Sequence, residues 1–291
     1  MGLALESKVS SKKNGVAWII LKCIIFTVVI GAFSVLCHAF TSAYMDHVHG
    51  KPEFVKTTLV IYSFIEKALV AVGYVILGTK IPVKNSKLRA FTYAILVWAS
   101  DYLPQVMGLW LADGPIAQMS FSASIVLSDS LTYLMSGLVL SILFKKVPER
   151  TKRDCNQAKY IKAIMTSAIG FPVLIALVDQ VLARVYPAFS SAGAMQVSDG
   201  QKLMFYINFY SWFILSGALF VVFYRLTEYN ELDDKGWIKF AIKYIGLLWT
   251  PVVLIMIVFG TEIIPTVAYG IIFAICIFLI CWINNRILEA K

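Results

Sequence analysis

Apolar runs of roughly 20 residues or more recur along this chain, and no other feature restricts its fold so strongly. Each run is long enough to cross about 30 Å of hydrocarbon as a helix. They fall at 15–41, 57–78, 89–111, 116–144, 161–186, 203–223, 238–260 and 263–283, with no soluble domain between them. The runs are apolar on almost every side. Membrane β-strands alternate apolar and polar residues over about ten positions, so helices are the fitting assignment. Composition agrees: 59% of residues are hydrophobic and 15% charged, and mean hydropathy is +0.76. A soluble domain has about 45–50% apolar and about 25% charged residues, and one core could not hide this much apolar surface. The expected fold is an all-α polytopic membrane helical bundle of about eight transmembrane helices. Residues 1–14 form a cytoplasmic N-terminal tail, 15–283 a single transmembrane bundle and 284–291 a cytoplasmic C-terminal tail.

The basic residues orient the bundle. With the N-terminus inside, the cytoplasmic segments hold 20 of the 26 Lys and Arg residues. They include Lys8, Lys12 and Lys13, the group Lys80, Lys84, Lys87 and Arg89, and the run from Lys145 to Lys162. The outer segments hold only Lys51, Lys56, Arg184 and Lys202, while Lys22 and Lys67 lie inside spans. A missed or invented helix would scramble this split, so it supports eight spans with both termini cytoplasmic. The net charge of +9 follows from topology and needs no nucleic-acid partner. The first span is too long for a signal-peptide core and contains Lys22, so it reads as a retained helix. The chain lacks a complete Asn-x-Ser/Thr sequon, which fits a bacterial cytoplasmic membrane. The cysteines (Cys23, Cys37, Cys155, Cys276 and Cys281) lie in spans or a cytoplasmic loop and read as packing residues, not a disulfide framework.

Loop lengths allow a weak 4+4 repeat. Outer loops of similar length join spans one to two and five to six, and tight outer turns join three to four and seven to eight. The residues themselves align poorly, and coincidence of loop lengths is the preferred reading.

Charges inside spans carry the functional argument. Glu66 and Lys67 fall near the middle of span two, Asp101 of span three and Asp129 of span four, with Asp179 in the outer half of span five. A central Asp or Lys costs about 2.5–3.5 kcal/mol on insertion scales, so such residues must face one another or water. On span four, Ser122, Asp129 and Ser136 recur every seven residues with Thr132 beside them; on span three, Gln105 shares a face with Asp101. Pro104 is expected to kink span three next to Asp101. Lys67 points about 100° around span two from Glu66 and is expected to serve a neighbouring helix. The central expectation is that Asp101 and Asp129 share one proton or one cation.

These residues point to a proton- or cation-coupled transporter or permease for a small solute or ion. Glu66, Lys67, Asp101, Asp129 and Asp179 are the coupling residues, with Gln105, Ser122, Thr132 and Ser136 in support. The alternative is a non-catalytic scaffold or sensor subunit, in which the same acids would be paired, buried and dry. It allows a membrane-protein partner or a homo-oligomer beside the lipid bilayer. An intramembrane enzyme ranks third: no zinc-helix, nucleophile-elbow or phosphate-loop motif occurs, and Asp101 and Asp129 lack the Gly-rich approach an aspartyl dyad needs. No cofactor is called for. Asp46, His47 and His49 form a weak candidate metal site, with ordinary loop histidines the better reading. The aromatic start of span six, Phe205 to Phe213, could cage an organic cation but also suits an interfacial belt.

Overall fold

A computed structural model describes residues 2–40, 53–112, 119–145, 156–185, 199–227, 229, 235–250, 253 and 263–289. For several helical stretches, 101–112 and 119–126 among them, it describes the backbone alone. The described residues are helical, with no strand. Helix α1 spans Gly2–Phe40 and α2 Glu53–Ile76, followed by a 3-10 turn at Gly78–Lys80. Helix α3 spans Ser86–Ala112, α4 Met119–Leu143, α5 Gln157–Val185 and α6 Asp199–Leu226. Helix α7 covers Gly236–Tyr244 and runs into a π-turn at Ile245–Trp249, and α8 spans Ile263–Glu289. Helix α1 is continuous from Gly2, through the residues expected to precede the first span.

Local chemistry sets two of the starts. Asn85 Oδ1 accepts from the backbone N–H groups of Lys87 and Leu88 at 2.9 and 3.3 Å, capping α3. Asn156 Oδ1 accepts from Ala158 N–H at 2.9 Å and caps α5. Arg89, fully buried in the first turn of α3, donates from Nε and Nη2 to the Val83 carbonyl at 2.9 and 2.7 Å. That fork folds the α2–α3 connection back against the helix start.

Large apolar side chains point outward and polar ones inward. Ile161, Met165, Ile169, Val173, Leu177 and Val181 recur every fourth residue along α5, each at least half exposed. Similar stripes run along α4 (Leu127, Leu131, Leu134, Leu138, Ile142) and α8 (Val267, Ile271, Ile275, Leu279). The interior holds Ser34, Lys67, Ser128, Asp129, Thr132, Ser136, Ser167 and Asn284. In water such a surface would be an aggregation liability; in lipid it is the solvated face. Four helical segments are long and apolar enough to cross a membrane: Gly15–Phe40, Val60–Lys80, Gln157–Val178 and Gly270–Glu289. Leu127–Leu143 and Phe213–Leu226 are shorter apolar stretches. These features make the chain an all-helical protein built for a membrane.

Helix α3 lies between α4 and α6 and packs extensively on both. Helix α1 packs on α2 and α4, and α5 packs on α6 and α8. Helix α7 rests on α8, and its π-turn touches α2. Consecutive helices α2 and α3 touch only lightly; their main tie is the Tyr93 hydroxyl, which donates to the Val70 carbonyl at 3.1 Å. Small residues permit the closest approaches. At Gly217 on α6, an added Cβ would collide with the Ser167 backbone of α5.

Candidate functional site

Helices α1, α2 and α4 bring four ionisable side chains to one place. Asp129 on α4 is 1% exposed and Lys67 on α2 likewise 1%. His38 Nε2, from the last turn of α1, stands 3.2 Å from Asp129 Oδ1. That is ion-pair distance without hydrogen-bond alignment, and Oδ1 has no hydrogen-bond partner among the described residues. On its other side, His38 Nδ1 meets the Ser34 carbonyl at 2.8 Å, which holds the ring in place. Lys67 Nζ donates to Glu66 Oε1 at 2.6 Å, and the Tyr133 hydroxyl of α4 donates to the same oxygen at 2.9 Å. The ammonium also sits 4.8 Å from the centre of the Tyr133 ring, a cation–π contact in a dry setting.

The serine and threonine row on α4 serves its own helix. Thr132 Oγ1 donates to the Ser128 carbonyl and Ser136 Oγ to the Thr132 carbonyl, each at 2.8 Å. These back-bonds consume the hydroxyl protons and leave the oxygens as acceptors toward the interior. Cys37 of α1 lies against Thr132.

Depth follows from helix rise. Lys22 of α1 caps the ring of Phe144 at the end of α4, 5.3 Å from its centre, which marks one rim of the bundle. At 1.5 Å per residue, Asp129 lies about 22 Å from that rim along α4 and His38 about 24 Å along α1. Asp129 and His38 therefore lie at similar distances from the Lys22–Phe144 contact. Exposure is uneven: the His38 and Glu66 side chains are 25% and 15% exposed, against 2% and 1% for Asp129 and Lys67. On the neighbouring α3, Trp98 Nε1 and Ser100 Oγ are buried with no partner among the described residues. They lie about 18 and 21 Å along that helix from Ser86, near the same layer.

Glu66, Lys67, Asp129, Thr132 and Ser136 thus gather in or beside one cluster. Lys67 departs from expectation: it reaches its sequence neighbour Glu66. Two adjacent residues diverge by 100°, but the four-carbon Lys stem bends back, and Tyr133 anchors the shared carboxylate from across the interface. Asp129 is met by His38, from the last turn of α1. The nearest charged residues along the chain are Lys22 before it and Asp46 after it, so only the packing of α1 on α4 reveals the pair. Tyr133 was hidden for a similar reason, as one aromatic among many. The backbone places Asp101 and Gln105 on α3 and Ser122 on α4, but their side chains lie outside the described residues, as does that of Asp179 on α5. Asp46, His47 and His49 are outside the described residues altogether. Among the described residues no group of three or more His, Cys, Asp or Glu could hold a metal.

The cluster combines a carboxylate paired to an imidazole with a carboxylate paired to an ammonium, and its two halves meet on α4 within one helical turn. Such a set can take up and release a proton, or exchange it for a small cation. No protein-family model, curated protein or solved structure matches this chain.

Proposed function

We propose that this chain is a proton- or cation-coupled transporter of a small solute or ion, working through Asp129, His38, Glu66 and Lys67. In this reading the bundle crosses the membrane eight times with both termini cytoplasmic, in two four-helix halves, α1–α4 and α5–α8. The Lys22 rim is the cytoplasmic one, and the cluster opens toward the outer side. The helices α3, α4, α6 and α7 cross beside the four segments that are long and apolar enough on their own.

One observation carries the reading: Asp129 is buried with an oxygen that accepts no hydrogen bond from a described residue. With His38 neutral, Asp129, Glu66 and Lys67 leave one net negative charge in a low-dielectric interior. One proton or one monovalent cation neutralises it, and desolvated charge of this kind is expensive to leave unpaired. Among the described residues His38 and Cys37 of α1 face Asp129, Lys67 of α2 acts on His38, and Glu66 and Tyr133 hold Lys67. His38 is the natural gate, since a histidine changes charge between about pH 5 and 8 and here is partly exposed.

The same burial also suits the scaffold reading, in which two closed pairs glue α1, α2 and α4 together. Proteoliposomes holding a trapped pH dye, under imposed proton, sodium or potassium gradients, separate the two. A coupled transporter moves protons or exchanges them for one of these cations, and Asp129→Asn reconstitutes normally but is silent. A wild-type protein silent under all three gradients, or a fully active Asp129→Asn, supports the scaffold. Topology is tested separately: cysteines at Ser86, Asn156 and Asp233 resist impermeant thiol reagents in whole cells, while those at Lys51 and Ser191 react.

A further inference from the structure

The two halves share several residues at a constant spacing. Ala68, Leu69, Val72 and Tyr74 on α2 recur as Ala218, Leu219, Val222 and Tyr224 on α6, always 150 positions on. Ala90, Tyr93, Leu96 and Trp98 at the start of α3 recur as Ala241, Tyr244, Leu247 and Trp249 in α7 and its π-turn, always 151 positions on. A single extra residue in the connecting segment accounts for the change of spacing.

Contacts follow the same register. The Tyr93 side chain docks on α2 at Val70, by its hydrogen bond, and at Gly73. Tyr244 docks on α6 at Phe220 and Phe223, with ring centres 4.9 and 6.2 Å away; these lie 150 positions beyond Val70 and Gly73. Between halves, α3 packs on α6, with Tyr93 and Phe223 ring centres 6.1 Å apart. The reciprocal pair is α7 on α2, where Leu247 faces Gly73. Exchanging α1–α4 for α5–α8 turns each principal pairing into another: α1–α2 into α5–α6, α1–α4 into α5–α8, α3–α4 into α7–α8 and α3–α6 into α7–α2. A two-fold axis between parallel repeats has this property.

Helices α4 and α8 align by burial at a separation of 144. Asp129, Thr132, Tyr133, Ser136 and Leu140 are matched by Phe273, Cys276, Ile277, Ile280 and Asn284, all buried. We infer that the second half holds a closed copy of the ionic site, with Phe273 in place of Asp129, Gly217 in place of Lys67 and Ser216 in place of Glu66. Phe273 lies 5.1 Å from Phe213 and 6.2 Å from Phe171, ring centre to ring centre, and Phe171 lies 5.4 Å from Phe213. Three phenylalanines from α5, α6 and α8 fill the place that His38, Lys67 and Asp129 open in α1, α2 and α4. Gly217 lets α6 close on the Ser167 backbone, where a lysine stem has no room. One half of the chain keeps an ion site and the other plugs it.

This inference rests on the four-plus-four division proposed above and not on transport. Its test uses the full chain in nanodiscs with native cysteines replaced and spin labels at two pairs of sites. Leu138 with Val222 is one pair; Trp282 with Val72 is its mate under the exchange. The two distance distributions coincide if the halves are related by a two-fold axis, and a difference above about 10 Å, one helix diameter, overturns the repeat. In the same preparation, proton uptake after a pH step is read with an indicator dye. Phe273→Leu leaves the uptake at the wild-type value and Asp129→Asn removes it. Loss of uptake in Phe273→Leu overturns the plugged-site assignment. Unaltered uptake in Asp129→Asn with coincident distances instead removes the site reading and leaves the repeat standing.

Discussion

Where α1, α2 and α4 meet, the protein holds two pairs of ionisable side chains; where α5, α6 and α8 meet, it buries three aromatic rings. Both places have similar outer walls, with exposed apolar stripes on α4 and α8 facing the lipid side. What differs is the interior. The rings of Phe171, Phe213 and Phe273 satisfy one another with no polar atom to place. Asp129 and Lys67 each require a partner, and Asp129 keeps one oxygen without a hydrogen bond among the described residues. An apolar core of this kind has no charge to neutralise; in the proposed function a proton or cation neutralises the ionic one. On the proposed function, the polar place is the working part of the fold and the aromatic one its support.

The comparison breaks first at Gly217. Gly217→Lys, which imposes the first half's residue on the second, drives a side chain into the Ser167 backbone, and folded yield in detergent falls to near zero. Phe213→Ala comes next. It empties a buried ring site and lowers stability by about 3–5 kcal/mol, read as a drop in thermal midpoint with the proton response unchanged. Lys67→Met removes the cation from Glu66. A fully buried pair would lose about 3–5 kcal/mol; Glu66 is 15% exposed, so about 2 kcal/mol is expected, with a larger effect on coupled flux than on folding. Tyr133→Phe removes one hydrogen bond from Glu66 and leaves Lys67 in place. About 1 kcal/mol is expected, together with a shifted pH profile. If Phe213→Ala proves milder than Tyr133→Phe, the division into supporting and working halves is wrong.

Much of this was legible in the sequence, at the level of segments. Apolar runs located α2 through α8 because lipid imposes length and continuity, and the described helices begin within a few residues of most of those runs. Asp129, Glu66 and Lys67 stood out because charge is costly in a span. Their partners did not stand out. His38 pairs with Asp129 only because α1 packs on α4, across 91 positions of chain, and Tyr133 matters only because its hydroxyl reaches across to α2. Lys67 was read by helix angle alone, which ignores the reach of its stem. The proposed four-plus-four repeat is faint in the sequence for another reason: in lipid nearly any apolar residue serves at an outward position, so few residues are shared, Tyr93 and Tyr244 among them.

The most direct measurement is ¹⁵N NMR of histidine-labelled protein in nanodiscs across about pH 5 to 8, with His47 and His49 replaced by glutamine so that only His38 reports. In the wild-type background the His38 ring signals move as the site takes up a proton. In Asp129→Asn that transition shifts or vanishes, and in Phe273→Leu it is unchanged. A His38 signal that titrates identically with and without the Asp129 carboxylate would contradict the account, because the polar half would then hold no coupled site.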